Sequence, residues 1–139
     1  MSLKMTRDEL TRFLEQEFPQ VAGDFAIEEV GDMRVRVRLL VGVRHLRPGG
    51  TVSGPSIFAL ADVTVYLATL AMIGPEALAV TTNCSIDFMR KPTAGVDLIA
   101  ECRLLKLGRV LSVGEVLIFS EGLEAPVARA SLTYAIPPK

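Results

Sequence analysis

Residues 54–74 read Gly54-Pro-Ser-Ile-Phe-Ala-Leu-Ala-Asp62-Val-Thr-Val-Tyr66-Leu-Ala-Thr69-Leu-Ala-Met-Ile-Gly74, and Asp62 is the only charged side chain among them. A helix that crosses a bilayer needs ~20 apolar residues, so length alone is borderline. A carboxylate near the middle of such a span costs about 3 kcal/mol on insertion scales. Pro55 and Pro75 frame the stretch, and no basic flank sets an orientation. The stretch therefore reads as a helix buried inside a soluble protein. Leu60, Val63, Leu67, Leu70 and Ala71 recur at helical spacing, and Ile57 extends their face by a turn. Thr64 borders that face, where its hydroxyl can bond the carbonyl of Leu60.

Upstream, Thr6 to Glu17 reads as an amphipathic helix with Leu10, Phe13 and Leu14 on one face, making residues 1–20 a helical extension. Phe18-Pro19 ends it, because a residue before proline disfavours helix. Phe25–Val30 and Met33–Leu40 are strand-like and joined by Gly31-Asp32, a hairpin-compatible pair. The second alternates Met33, Val35, Val37 and Leu39 against Arg34, Arg36 and Arg38, a solvated stripe expected opposite Glu28 and Glu29. A turn-rich connection, Arg47-Pro48-Gly49-Gly50, leads to the apolar helix. Beyond Pro75 four more strands are expected: Leu78–Arg90, Val96–Leu107, Val110–Phe119 and Ala125–Ile136. Cys84, Ile86 and Phe88 alternate on one strand, and Leu98, Ala100, Cys102 and Leu104 on the next; both faces are expected to pack on the helix. The order predicts an α+β domain spanning 1–139, an antiparallel sheet folded around one long helix.

Composition narrows the function. The chain has 139 residues, 50% hydrophobic but 6% aromatic and without Trp, so Val, Leu, Ile and Ala supply the apolar mass. Fifteen Lys+Arg against 16 Asp+Glu give a formal net charge of −1. That balance speaks against nucleic-acid binding and a polybasic membrane anchor, and the apolar content against disorder. Two cysteines, Cys84 and Cys102, make neither a disulfide framework nor a zinc site and read as core residues. Met1–Leu10 carries Lys4, Arg7, Asp8 and Glu9 with no apolar run, so a cytoplasmic location is expected.

Asp62, Tyr66 and Thr69 fall at i, i+4 and i+7 and give the helix a sparse polar stripe. No cation lies near Asp62 in sequence, so its carboxylate must find a distant partner, meet solvent in a cleft, or lose its charge. Two readings stand: a buried Asp bonded to Tyr66 or to another element's backbone, and a functional carboxylate. At the helix start, Ser53 or Gly54 is a plausible cap and Pro55 suits the first turn. Free N–H groups there can hold an anion or a developing oxyanion, or simply belong to an ordinary cap.

The segment Arg47-Pro-Gly-Gly-Thr-Val-Ser-Gly-Pro-Ser-Ile-Phe-Ala-Leu-Ala-Asp62 resembles the site region of hotdog-fold acyl-CoA thioesterases of the PaaI-like type. That family carries an Asn, a Gly-Thr-apolar-His-Gly-Gly run and an acidic residue inside the central helix. Here Gly50-Thr51-Val52 and Gly54 match, and Asp62 stands at the acidic position. Ser53 replaces the His, Pro55 the second Gly, and Arg47 stands where Asn is usual. Ser85-Ile-Asp-Phe-Met-Arg-Lys-Pro-Thr-Ala-Gly95, Leu107-Gly108-Arg109 and Val127-Ala128-Arg129-Ala130 also resemble family segments, so the likeness runs from about Met33 to Ile136.

The resemblance implies a six-stranded antiparallel sheet around the long helix, dimers joined sheet edge to sheet edge, a further pairing of dimers, and acyl-CoA at the dimer interface. By position Asp62 activates water or attacks the thioester, and the Gly54 N–H polarises its carbonyl. Ser53 and Thr82 complete the expected catalytic group. Thr81 and Thr82 match a hydroxyl-bearing region near the partner's acid. Arg47, Gly50, Tyr66, Thr81, Lys91 and Arg109 are the expected substrate-binding positions, with Lys91 and Arg109 at strand ends for the nucleotide. Helix geometry points the same way, since Gly54 and Asp62 lie ~12 Å apart along the axis at a rise of ~1.5 Å per residue. Reacting atoms must approach within about 3–3.5 Å, so one chain cannot easily serve one carbonyl with both groups. Two antiparallel helices from different subunits could.

Three residues need separate weighing. His45, the only histidine, lies beside Arg44 and Arg47 and reads as a solvated loop residue. Arg47 reads as pairing with a surface acid rather than clamping substrate. Serine at position 53 can donate a hydrogen bond but lacks imidazole's reach and its titration near neutral pH. Two functions follow: an acyl-CoA thioesterase with Asp62 as base or nucleophile, and a non-catalytic hotdog module that binds acyl-CoA or a related ligand. A hydratase is a weaker third, as its Asp–His pair is not found. No metal or redox cofactor is implied, since coenzyme A is part of the substrate.

Overall fold

Thr6 opens the first helix, α1 (Arg7–Glu17), with a capping box: its hydroxyl accepts the Glu9 N–H and the Glu9 carboxylate accepts the Thr6 N–H. The structure is a computed structural model that describes residues 2–138; Met1 and Lys139, the ends of the expected domain, lie outside the described residues. Phe18 leaves helical geometry as expected before Pro19, but Pro19 then starts a further turn of helix, α2 (Pro19–Ala22), a proline-first element.

Strands β1 (Phe25–Gly31) and β2 (Arg34–Leu39) form the expected hairpin. Its two-residue loop is Asp32-Met33 rather than Gly31-Asp32, with Met33 at φ 60°. The arginine stripe of β2 pairs with β1 as expected: Arg34 with Glu29 at 2.5 Å, and Arg36 and Arg38 with Glu28 at 3.1 and 2.6 Å. Arg38 also reaches Asp97 and Glu121, at 3.0 and 2.8 Å, which tethers the outer face of the sheet.

The apolar stretch forms α3 (Gly54–Ile73), followed by β3 (Val80–Phe88), β4 (Leu98–Leu107), β5 (Leu111–Ser120) and β6 (Ala128–Ala135). All neighbouring strands are antiparallel in the order β1-β2-β4-β5-β6-β3. This is the α+β arrangement that the sequence and its resemblance predict. One face of the sheet supplies Val35, Val37, Leu39, Leu98, Ala100, Cys102, Val116, Ile118, Ala128, Ala130 and Leu132, all buried against α3. Leu60, Leu67 and Leu70 are fully buried from the helix side, each stabilising the fold by about 1.5–3 kcal/mol. Although α3 is long and apolar enough to cross a membrane, 72% of its most apolar window is buried inside this fold.

The helix approaches the sheet closely at Gly114 of β5. A Cβ there would lie 3.0 Å from both methyl carbons of Val65 and 3.3 Å from the Cys102 sulfur. Thr64 donates to the Leu60 carbonyl at 2.6 Å, as expected, and Thr69 bonds the Val65 carbonyl and the Ser112 hydroxyl, both at 2.8 Å.

The expectation for β3 needs correction. Cys84 and Ile86 are only half-buried and Phe88 is 53% exposed, because β3 is an edge strand and α3 packs mainly on β4, β2 and β5. The strand has apolar side chains and an unpaired backbone edge, which in a lone chain is a ready template for another strand.

Candidate functional site

The side chain of Asp62 is half-buried midway along α3, and its partners come from the two strands at one edge of the sheet. Thr81 Oγ1 donates to Asp62 Oδ1 at 2.5 Å. The Tyr134 hydroxyl donates to the same oxygen at 2.8 Å and to the main-chain carbonyl of Asp62 at 3.1 Å. Thr81 of β3 and Tyr134 of β6 are cross-strand partners, so one rung of the sheet presents both hydroxyls to the carboxylate. The register slips between Thr81 and Asn83, leaving Thr82 as the extra residue of a β-bulge. Thr81 consequently points to Asp62, while Thr82 is exposed and bonds the Thr133 carbonyl at 3.3 Å. Within one chain, Thr82 is not brought to the acid.

Tyr66, one turn beyond Asp62, does not bond it. Its hydroxyl donates to the Ala77 carbonyl at 3.2 Å, and its ring stands 5.9 Å from that of Tyr134, tilted by 37°. Both tyrosines and Asp62 line a cleft of about 360 Å³, walled by Val63, Ala79 and Val80 and, from the N-terminal extension, Glu17 and Phe18. Burial, and next the charge of Asp62, push the Tyr134 phenol well above its ordinary value, so it stays a protonated donor. Burial chiefly, then Glu17 and Glu76, raise Tyr66 as well. Sequence reasoning missed Tyr134. The available signal was alternation: Ala128, Ala130 and Leu132 point inward, and a tyrosine continuing that row must find a partner for its hydroxyl.

The helix start is built separately. Arg47-Pro48-Gly49-Gly50 is a type II turn closed by the Gly50 N–H on the Arg47 carbonyl at 3.0 Å, with proline second and Gly49 third at φ 103°. Gly50, at φ 86°, serves the backbone path and does not line the neighbouring cleft. Ser53 is the cap of α3. Its N–H donates to the His45 carbonyl at 2.8 Å, its carbonyl accepts from Ile57 at 3.0 Å, and its hydroxyl accepts from the Ser56 N–H at 3.4 Å. Pro55 has no N–H. These bonds leave the Gly54 N–H as the uncommitted donor of the first helical turn among the described residues. Gly54 lines a cleft of about 340 Å³ together with Arg47, Ile57, Phe88 and Lys91.

The expected pairing of Arg47 with a surface acid is absent among the described residues; the side chain lines this cleft instead. Arg109 is not near Lys91. It borders a separate cleft of about 640 Å³ with Lys4, Ile73 and Val110, at the C-terminal end of α3. His45 is buried, 6% exposed, and not a solvated loop residue. It sits in a 3-10 turn, Val43–His45, where Nδ1 accepts the Gly42 N–H at 2.8 Å. A neutral ring so bonded carries its proton on Nε2, which lies 3.5 Å from an Asp24 carboxylate oxygen. Arg44 pairs with the other Asp24 oxygen. Burial pushes the Asp24 carboxyl up, but the hydrogen bond from Arg44 and the nearby His45 ring outweigh it and hold the group below its ordinary value. A local run of polar residues concealed this anchor, since Asp24 is distant in sequence.

The chain thus holds an acid and an uncommitted N–H on one helix, ~12 Å apart at ~1.5 Å per residue. Strand β3 spans both, with Thr81 at the acid and the Phe88 ring against Gly54, where an added Cβ would meet it at 3.5 Å. No group of three His, Cys, Asp or Glu side chains suited to a metal ion occurs among the described residues.

Comparison with known proteins agrees with this architecture. The family model of the thioesterase superfamily matches residues 49–127, more than half of the chain. A Silicibacter sp. TM1040 protein assigned as a thioesterase is 60% identical, with 99% of this chain and 96% of that one covered and a TM-score of 0.93. A mutant of the phenylacetic acid degradation protein PaaI from Thermus thermophilus is 28% identical over 86% of this chain and 99% of that one, TM-score 0.73. The protein smu.793 from Streptococcus mutans UA159, solved bound to acetyl-CoA, is 26% identical over 83% and 90%, TM-score 0.73. No curated protein matches the chain. A six-stranded antiparallel sheet around one long helix, together with the family match over the helix start and the acid, has one conclusion: the chain belongs to the hotdog-fold thioesterase superfamily.

Proposed function

We propose that the protein hydrolyses the thioester of an acyl- or aryl-CoA at two equivalent sites shared between the subunits of a homodimer. The observation that carries this reading is the spacing of the uncommitted Gly54 N–H and the hydroxyl-bonded Asp62 along one helix beside an unpaired edge strand. Antiparallel pairing of β3 with its copy sets the Thr81 end of one chain beside the Phe88 end of the other. One subunit's Asp62 then faces the partner's helix start.

In this site the thioester oxygen points at the Gly54 N–H and the positive end of α3. Asp62 takes a proton from water as the water oxygen adds to the carbonyl carbon, or adds directly and is freed by water in a second step. In the first route the carbon–sulfur bond breaks and the thiolate of coenzyme A leaves with the proton that Asp62 took from water. In the second the thiolate leaves as the acyl–aspartate anhydride forms, and the water that hydrolyses the anhydride supplies the proton. Arg47 and Lys91 stand at the cleft where coenzyme A phosphates would lie. An antiparallel partner turns its Arg109 end toward Lys91, and Thr82 adds a hydroxyl on the shared edge.

A second reading has its own support. Ser53 is spent on capping α3, so the position that carries His in the family offers no free side-chain group to substrate. That favours a module that binds acyl-CoA without turnover. Thiol release from a panel of acyl- and aryl-CoA esters separates the two. The hydrolase reading expects turnover by the wild type and its loss in Asp62→Asn. Hydrolysis surviving that substitution unchanged removes the mechanism, and ester binding without turnover selects the binding module.

A further inference from the structure

We propose that Tyr134 is a positioning residue that, with Thr81, clamps Oδ1 of Asp62 and leaves Oδ2 as the oxygen that meets water or thioester. The inference rests on the hydrolase reading and assigns the working atom of the same site. Both hydroxyls converge on Oδ1, at 2.5 and 2.8 Å, and a carboxylate oxygen offers two lone pairs in its plane. Oδ1 is therefore fully engaged, and no protein donor occupies Oδ2 among the described residues. The side chain lines an open cleft, so the remaining oxygen has access to a small molecule.

The Tyr134 contact does more than add a second donor. Its proton is shared between the carboxylate and the main-chain carbonyl of the same residue, at 2.8 and 3.1 Å. The phenol thus ties the side chain of Asp62 to its own backbone and restricts rotation about the side-chain bonds. Tyr134 is itself immobilised: it is 4% exposed, packed on Tyr66, and held in β6 opposite Thr81. The pushed-up phenol keeps its proton, so the clamp does not open as pH rises through the ordinary range. Because the bulge at Thr82 turns Thr81 inward, the sheet register builds the clamp before any substrate arrives. Preset donors of this kind save the reorganisation that a free carboxylate would need.

Tyr134→Phe deletes the hydroxyl and keeps the ring, and Thr81→Val deletes the other hydroxyl and keeps the branched shape. Steady-state thiol release from a CoA ester turned over by the wild type should show kcat lowered about 10–100-fold in each variant. KM should stay near wild type, and Thr81→Ser should recover most of the rate. Thermal unfolding reports whether each variant is folded. If Tyr134→Phe does not fold, the Thr81→Val and Thr81→Ser pair decides. An unchanged kcat, or a raised KM with kcat intact, overturns the clamp while leaving the hydrolase reading in place. A wild type without turnover, or full activity in Asp62→Asn, overturns the hydrolase reading and the clamp with it.

Discussion

Replacing Gly54 by proline removes the one uncommitted hydrogen-bond donor at the start of α3. Ser53, at φ −75° and ψ 156°, already has the extended geometry that a residue before proline requires. Proline is well suited to the first position of a helix, where Gly54 stands. A carbon at its Cβ position meets the Phe88 ring at 3.5 Å, ordinary van der Waals contact. The lost N–H bonds nothing within the chain. The cost to stability comes from Pro55, which disfavours helical geometry in a preceding residue that carries a Cβ, so thermal unfolding must show the variant folded. Loss of one oxyanion donor costs about 10²–10³ in kcat, which leaves on the order of 1% of turnover or less. Asp62→Asn is expected to be inactive for a different reason. If a site takes its N–H from one chain and its acid from the other, a mixed dimer has one site with both lesions and one with neither. Random reassortment of equal amounts makes about half the dimers mixed, and restores roughly a quarter of wild-type activity. The assay is thiol release before and after the two inactive variants are unfolded together and refolded. If both groups serve from one chain, every chain carries a lesion; a refolded mixture as inactive as its parents refutes the shared site.

Further outcomes test the fold around the site. Gly114→Ala forces a methyl group to within 3.0 Å of both Val65 methyl carbons, and should cost about 1–3 kcal/mol in denaturant unfolding. Folding holds the Asp24 carboxyl below its ordinary value, so its stabilisation is complete above about pH 4 and is lost as pH falls through the folded-state value. Asp24→Asn should accordingly destabilise by about 1.5–3 kcal/mol at neutral pH, with the gap to wild type closing in acid. Burial pushes the Cys102 thiol up to about 12, so it should resist a thiol reagent at pH 8 in the native protein and react once urea unfolds the chain.

Much of the fold could be read from residue order. The charge-poor run 54–74 could only be buried, and the alternation in Met33–Leu40 and Val96–Leu107 required a sheet with one apolar face. Ser53 before Pro55 marked the helix start, since a cap and a first-turn proline act through their immediate neighbours. Asp62 stood out because its sequence neighbours offer a carboxylate nothing. Its environment did not. Tyr66 is the nearest hydroxyl along the helix, yet it bonds Ala77, and the groups that hold Asp62 arrive from β3 and β6.

His45 shows the same limit in reverse. Beside Arg44 and Arg47 it reads as solvated, but Asp24 and the Gly42 N–H bury it under the turn whose carbonyl holds the Ser53 N–H. Strand β3 alternates like a core strand, and only its place at the end of β1-β2-β4-β5-β6-β3 leaves Phe88 exposed. Sequence by itself determined what depends on short-range periodicity and local bonding: the buried helix, the strands, and the place where that helix starts. Only the tertiary structure decided which strand lies at an edge, that Tyr134 meets Asp62, and that Arg109 stands apart from Lys91. Those relations come from strand order and cross-strand register, and pairing between distant segments leaves no period along the chain from which to infer it.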